Sequence, residues 1–192
     1  MIPVPLFVAL LFVRLGEAPA STRLTTAGLA IVASAETIRL WAVHHIGAVS
    51  RTRTDRLGPL VDDGPFGVVR NPLYLGNIAL WVGFALIARL VWLAPAIAIV
   101  LGLEYHAIVK WEERLLTSRL GDAYRDYTTR VPRWVPNLAL MGRKGRDSTR
   151  TATLSASANA TPYSWRDTLF SERGTLIAVA AGYGLLWIKA RF

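Results

Sequence analysis

Two apolar runs, residues 73–90 and 91–110, follow each other almost without a break in the middle of the chain. The first has 18 residues, and a helix of that length reaches about 27 Å, close to the thickness of a bilayer's hydrocarbon core. Arg89 and Trp92 stand at the junction, where residues of this kind suit a turn at the membrane surface. The pair predicts a helical hairpin that crosses a membrane and returns.

Three further apolar segments predict additional membrane helices: residues 2–13, 24–49 and 175–188. The first could be a signal peptide, but no Lys or Arg precedes it, which favours a short membrane helix. The last is short for a span, so it either crosses with snorkelling ends or lies partly buried against the bundle. The predicted fold class is therefore an all-α, polytopic membrane helical bundle of about five transmembrane helices that includes the helical hairpin.

The charge distribution supports membrane insertion over nucleic-acid binding. The chain is 53% hydrophobic with a net charge of +9, and 16 of its 22 basic residues lie in 51–72 and 105–173. Basic segments between apolar spans face the cytoplasm. We therefore expect an integral protein of a bacterial inner membrane, with the polar segments in the cytoplasm. There is no cysteine, and the three histidines are too few to favour a metal site, so no metal is expected.

The chain is expected to form one domain, residues 1–192, with four parts. Two N-terminal helices occupy 1–50, and a core with the hairpin occupies 51–136. A linker rich in Ser, Thr, Ala, Gly and Arg follows over 137–163, a composition typical of loops. A surface helix and the fifth apolar helix fill 164–192.

A polar stretch, GPFGVVRNPLY, leads into the hairpin over residues 64–74. Asn71 suits the cap of the outgoing helix, and Pro72 suits its first turn, where the missing N–H has no partner in any case. Arg70 and Tyr74 are four residues apart, so they are predicted to share one side of the helix entrance.

A second polar cluster follows the hairpin. It starts with WEERLL at 111–116 and ends with VPRWVP at 131–136. Between them, Gly121 is predicted to end one helix and Asp122 to cap a short helix that carries two tyrosines. Small residues within the hairpin (Gly76 and Gly83; Ala94, Ala98 and Gly102) predict close approach of neighbouring helices.

In order, these pieces resemble the isoprenylcysteine carboxyl methyltransferases and the related phospholipid methyltransferases, integral membrane enzymes that use S-adenosylmethionine. The family pattern runs GPY, RHP-x-Y-x-G, a helical hairpin, EE-x-x-L, G-x-x-Y-x-x-Y and VPR-x-x-P. This chain reads GPF, RNPLYLG, EERLL, GDAYRDY and VPRWVP over residues 58–136. No single piece is specific, but the ordered set is.

The resemblance implies a cofactor site for S-adenosylmethionine and an acceptor that is a lipophilic small molecule or a lipid. Methyl transfer from a sulfonium needs alignment and exclusion of water more than acid–base groups. Glu112 would accept hydrogen bonds from the cofactor's amine or ribose, while Glu113 contacts it or pairs with Arg114 or Arg133. The implied cofactor residues are Leu60, Val61, Phe66, Arg70, Asn71, Pro72, Leu73, Tyr74, Glu112 and Glu113, and the implied substrate residues are His106 and Lys110.

Two departures from the family pattern leave alternatives open. Asn71 replaces the usual histidine and cannot be protonated, and Ile108 stands where eukaryotic members place an arginine. The acceptor group is therefore open between a carboxylate, a thiol and a lipid amine. A non-catalytic membrane protein of the same fold, binding a lipid or a partner, is the alternative, and a reductase of the sterol-reductase type is a third hypothesis.

Overall fold

The computed structural model describes residues 3–46, 60–141 and 164–191, and within these ranges the chain is helical with no β-strand. Gly58, Pro59 and residues 142–163 of the predicted linker lie outside the described residues. The described elements are α1 (Pro3–Phe12), α2 (Thr22–Ile46), the 3-10 turn Gly64–Gly67, α3 (Pro72–Ile87), α4 (Leu93–Leu120), α5 (Asp122–Arg130), the 3-10 turn Leu138–Leu140 and α6 (Trp165–Lys189).

The predicted hairpin is present as α3 and α4, which are separated by residues 88–92. Arg89 takes a positive φ of 63° in this turn, a conformation that is uncommon outside glycine. By length and composition, α2 and α4 could cross a membrane, and α3 is a shorter apolar helix. The expected total of about five crossings stays a prediction.

The predicted division of residues 164–192 into a surface helix and a separate apolar helix over 175–188 is wrong. One helix, α6, runs from Trp165 to Lys189 and includes Gly174. A glycine inside a helix costs only about 1 kcal/mol relative to alanine. The long helix on both sides of Gly174 offsets that cost. Lys189 lies in the last turn, where its positive charge interacts favourably with the negative end of the helix dipole.

The N-cap of α5 lies one residue before the predicted cap. Asp122 is the first helical residue, and Gly121 occupies the N-cap position with φ of 57°, which glycine adopts at little cost. The prediction that Asp122 caps the helix is therefore wrong. Its carboxylate instead accepts a hydrogen bond from Arg125, one turn later, at 3.0 Å.

The described residues form two compact units, and the first comprises Met1–Thr37, Gly76–Tyr105 and Glu172–Phe192. Its core is apolar, and Leu10, Leu90 and Leu186 are almost fully buried. The backbones of α2 and α3 approach closely, since a Cβ on Gly28 would lie 2.9 Å from the carbonyl oxygen of Gly83. The close approach predicted at Gly83 is confirmed, whereas a Cβ on Gly102 would meet no atom within 4 Å.

Part of α4 in this first unit exposes a row of large apolar side chains. Ile99, Val100 and Leu103 are 63%, 52% and 68% exposed. A face of this kind is suited to contact with lipid chains, because apolar surface there costs nothing to expose.

The second unit comprises Ile38–Leu75 and His106–Ser171. Its small core is built from Tyr124, Tyr127 and Val131, against which Leu60, Leu116 and Leu120 pack. This unit contains both polar motif regions, the loop before α3 and the polar half of α4.

Candidate active site

The loop that enters α3 is held by the segment that follows α5. The backbone N–H of Arg70 donates to the carbonyl oxygen of Pro132 at 2.9 Å, and the N–H of Asn137 donates to the carbonyl of Val68 at 3.0 Å. Val68 is also buried. Two segments that are about 65 residues apart in sequence therefore lie side by side through backbone hydrogen bonds.

Close packing at Gly64 also fixes the start of this loop. Gly64 has φ of 53°, and a Cβ at this position would lie 2.3 Å from the ring of His45. Only glycine fits both the backbone conformation and the space. His45 in turn contacts the ring of Trp41 edge-on and lies 3.0 Å from its carbonyl oxygen. The family-like motif therefore needs its glycine for packing against α2.

An ion-pair network connects the loop, α4 and the segment after α5. Arg70 Nη1 lies 2.9 Å from Glu113 Oε1, and Arg133 donates to both carboxylate oxygens, from Nε at 3.0 Å and from Nη2 at 2.6 Å. The hydrogen bond with Glu113 is the main cause of the raised pKa of Arg133. Arg114 and Arg133 were the two ion-pair partners predicted for Glu113, and the pair with Arg133 is present. It is bidentate, which is a strong geometry for a carboxylate.

The neighbouring carboxylate makes a separate contact. Tyr74, in the first turn of α3, donates its hydroxyl hydrogen to Glu112 Oε1 at 2.9 Å. Among the described residues, Tyr74 is the hydrogen-bond partner of Glu112. Arg70 and Tyr74, which were predicted to share one side of the helix entrance, contact the neighbouring carboxylates Glu113 and Glu112 respectively.

Asn71 holds the entrance of α3 against the same segment. Its side-chain amide donates to the carbonyl oxygen of Arg133 at 3.1 Å. Pro72 begins α3, as predicted, and is fully buried, while Leu73 is half-buried. A neutral amide at position 71 thus serves as a structural donor, a role that needs no proton exchange.

Two tyrosines of α5 support the loop before α3. Tyr127 donates its hydroxyl hydrogen to the carbonyl oxygen of Phe66 at 2.8 Å, and Phe66 itself is buried. Burial raises the pKa of both Tyr124 and Tyr127, so both phenols are protonated at neutral pH. These side chains are part of the scaffold that supports the loop.

The other predicted residues are placed as follows. Leu60 packs against the tyrosine core, and Val61 is half-buried. His106 Nδ1 lies 3.3 Å from Trp134 Nε1, and the two rings are stacked. Lys110 is exposed and lines an open cleft of about 480 Å³. We call this the basic cleft, and its lining residues are Lys110, Glu113, Arg114, Thr117, Ser118, Arg125 and Arg133.

Sequence reasoning missed several of these contacts. The spacing of Lys110, Arg114 and Ser118 places them on one face of a helix, so that part of the cleft could have been predicted from the sequence. The contribution of Arg125 from α5, and the packing of His45 on Gly64, were not, because no pattern in the sequence links positions on different elements. Among the described residues, no group of three or more His, Asp or Glu side chains could hold a metal ion.

A model of the phospholipid methyltransferase family matches residues 24–123. The chain belongs to the phospholipid methyltransferase family. The matched range contains the loop before α3, the hairpin and both glutamates of α4, and the Arg70–Glu113 and Tyr74–Glu112 contacts lie within it. The resemblance identified from the ordered motifs is thereby confirmed.

Two curated relatives match a similar share of the chain. The nickel-cobalt-cadmium resistance protein NccN of Alcaligenes xylosoxydans xylosoxydans is 33% identical over 120 residues, which are 62% of this chain and 53% of NccN. The cobalt-zinc-cadmium resistance protein CzcN of Cupriavidus metallidurans is 28% identical over 120 residues, 62% of this chain and 52% of CzcN. The match spans about half the length of these relatives. No solved structure matches the chain.

Proposed function

We propose that this member of the phospholipid methyltransferase family is an integral membrane enzyme that uses S-adenosylmethionine. It transfers a methyl group to a small lipophilic acceptor that carries a carboxylate, a thiol or a lipid amine, at the cytoplasmic side of a bacterial inner membrane. The observation that carries the proposal is the Tyr74–Glu112 hydrogen bond of 2.9 Å, because it joins the two motif regions from which a cofactor site of this family would be built.

The side chains beside this bond suit the cofactor's polar groups. Glu112 can accept a hydrogen bond from an ammonium or a ribose hydroxyl through Oε2. Arg70 Nε is buried and has no hydrogen-bond partner among the described residues, so it is available to donate to a carboxylate. A buried donor without a partner is costly, and a bound carboxylate would satisfy it.

S-adenosylmethionine supplies a methyl group that is already activated on a sulfonium sulfur. The protein's own task is to position the reactants and exclude water. The Arg70–Glu113–Arg133 network fixes the loop before α3 relative to α4 and so holds Tyr74 beside Glu112. Lys110 and His106 are the proposed acceptor-side residues.

Isothermal titration of the detergent-purified protein with S-adenosylhomocysteine tests the proposal without the unknown acceptor. We expect saturable one-to-one binding in the micromolar range, roughly −8 kcal/mol. Tyr74→Phe and Glu112→Gln should each weaken binding about tenfold, the usual size of losing one charge-assisted hydrogen bond. Tyr183→Phe and Glu104→Gln make the same chemical changes outside the candidate site and should bind like the wild type. Equal affinities in all four variants would refute the site.

A second candidate is a non-catalytic role for the same fold, with binding of a lipid or a partner. Asn71 favours it, because its amide is used for a backbone contact where the family pattern has a histidine. The relatives are named for metal resistance, so cobalt tolerance of cells that express the protein is a suitable readout. Tolerance that survives in a Glu112→Gln variant, despite its weaker cofactor binding, would favour the non-catalytic role, and tolerance that falls with cofactor binding would favour catalysis.

A further inference from the structure

The basic cleft is built mainly from one face of α4. Lys110 and Arg114 are one turn apart on this face, Thr117 and Ser118 follow a turn later, and Arg125 approaches from α5. Residues three and four apart on a helix lie on the same side, so these polar groups all face one volume of about 480 Å³. The cleft lies beside the proposed cofactor residues Tyr74 and Glu112 in the chain's polar unit, but neither of them lines it.

The charges in this cleft are not balanced. The lining has four basic residues and one carboxylate, Glu113. Both oxygens of that carboxylate already accept hydrogen bonds from Arg70 and Arg133. Arg125 pairs with Asp122 at 3.0 Å, but the two side chains are 67% and 90% exposed, and exposed pairs are weak.

Lys110 and Arg114 have no ion-pair partner within the part of the chain that the structure describes. Like charges four residues apart on a helix repel each other. An anion bound between them would remove this repulsion. The arrangement is therefore one that a ligand of opposite charge would stabilise.

The geometry points to a phosphate-binding site in the basic cleft, with Lys110, Arg114 and Arg125 as its ligands. A phosphate group carries one negative charge in a lipid phosphodiester and up to two as a free ion, and it presents several acceptor oxygens. It therefore matches three cations better than a single carboxylate does. The arginine guanidinium groups offer forked donors that fit phosphate oxygens, and the lysine adds a point charge.

The phosphate can come from a lipid headgroup or from a soluble ion. Trp111 lies between Lys110 and Arg114 in the sequence and is 63% exposed. Tryptophan is enriched at the boundary between membrane and water, so the headgroup of an anionic phospholipid is the favoured source. Lys110 is shared with the proposed acceptor side, but phosphate binding itself requires neither the cofactor nor methyl transfer.

Calorimetric titration of the detergent-purified protein with dihexanoyl phosphatidylglycerol, dihexanoyl phosphatidylcholine and inorganic phosphate tests the inference and separates the two sources. We expect saturable binding of the phosphatidylglycerol and weaker binding of the zwitterionic phosphatidylcholine. Inorganic phosphate that binds as tightly as the lipid would assign the site to a soluble ion, and this too supports a phosphate site. No saturable binding of either anion would overturn it.

Matched variants separate the cleft from the general positive charge of the protein. The double variant Lys110→Ala/Arg114→Ala should weaken binding at least about tenfold, because two charge-assisted contacts are lost. The control Arg23→Ala/Arg166→Ala removes the same charge from exposed positions on α2 and α6 and should change binding less than about twofold. Arg125→Ala, on a different helix, gives an independent reading. Equal weakening in cleft and control variants would overturn the inference.

Discussion

Two carboxylates in this protein are each held by two basic side chains, yet their surroundings differ. In the first unit, Glu17 lies 2.5 Å from Arg89 and 3.0 Å from Lys189. In the second unit, Glu113 lies 2.9 Å from Arg70 and 2.6 Å from Arg133. Both clusters join segments that are far apart in the sequence.

The Glu17 cluster is closed. Lys189, whose side chain is only 7% exposed, also donates to the carbonyl oxygens of Leu10 and Val13 at 2.9 and 2.8 Å. These are carbonyls at the C-terminal end of α1, which the helix leaves without partners of its own. The three donors of the lysine are thus all used in structural contacts.

The Glu113 cluster is open. Arg133 is 34% exposed and lines the basic cleft, and Arg70 Nε is buried without a partner among the described residues. The difference between the two clusters is that an ion-pair network can form part of a binding site only when some of its hydrogen-bond donors are left for a ligand. We therefore expect substitutions in the Glu17 cluster to change mainly stability, and substitutions in the Glu113 cluster to change mainly ligand binding.

The largest expected effect is on stability, from Glu17→Ala. This change leaves two cations of a mostly buried cluster without their carboxylate, and breaking such pairs costs about 3 kcal/mol. The free energy of unfolding in detergent should fall by about that amount, while the affinity of the folded protein for S-adenosylhomocysteine stays the same. Asp122→Ala, which breaks an exposed pair, serves as the control and should cost less than about 0.5 kcal/mol. A loss no larger than the control's would show that the cluster is not structural.

The next effect is on binding, from Glu113→Ala. Arg70 and Arg133 would lose their common partner, and the loop before α3 would no longer be fixed against α4. We expect affinity for S-adenosylhomocysteine to fall by more than about tenfold, since misplacement of a site's supporting residues weakens binding strongly. Stability should fall less than in Glu17→Ala because Arg133 can turn to solvent. If stability fell more and binding did not change, the roles assigned to the two clusters would be reversed.

The sequence predicted the second cluster far better than the first. The glutamates of α4, Arg70 and Tyr74 were identified because ordered motifs of a family carry them, and Arg133 was one of two partners considered for Glu113. The partnership of Glu17 with Lys189 crosses 172 positions, and no local spacing or motif signals it. Contacts of this kind follow only from tertiary packing.

The number of apolar helical segments was predicted correctly, but some of the helix boundaries were not. The helical hairpin follows from apolar length, and α3 begins at Pro72 as its turn chemistry requires. The break expected before residue 175 is absent, because neither the change from polar to apolar composition nor the single glycine at that boundary, Gly174, ends the helix. The error at Asp122 also involves a glycine. Gly121 takes the positive φ that the connection needs, and this moves the N-cap from Asp122 to Gly121.

A smaller effect is expected from Tyr127→Phe, which tests how the open cluster is supported. The substitution removes the hydrogen bond to the carbonyl oxygen of Phe66 and should cost about 1 kcal/mol of unfolding free energy. Because burial raises the pKa of Tyr127, the wild type should also lose stability as pH rises above about 10, where the unfolded tyrosine ionises. The variant should lose less over that range. Parallel alkaline curves for the two proteins would contradict the buried, protonated phenol.

The smallest effect is the acid response of the closed cluster. Burial acts to raise the pKa of Glu17, but its hydrogen bond with Lys189 and the charges of Lys189 and Arg89 outweigh this, so the pKa lies below its usual value. A carboxyl with a lowered pKa stabilises the fold above its unfolded pKa of about 4.3 and loses that contribution as pH falls through the folded value. The stability difference between wild type and Glu17→Gln should therefore be constant near neutral pH and shrink below about pH 4. Unfolding in detergent between pH 3 and 7 would measure it. A difference that stayed constant over that whole range would mean that Glu17 is held by packing and not by its charge.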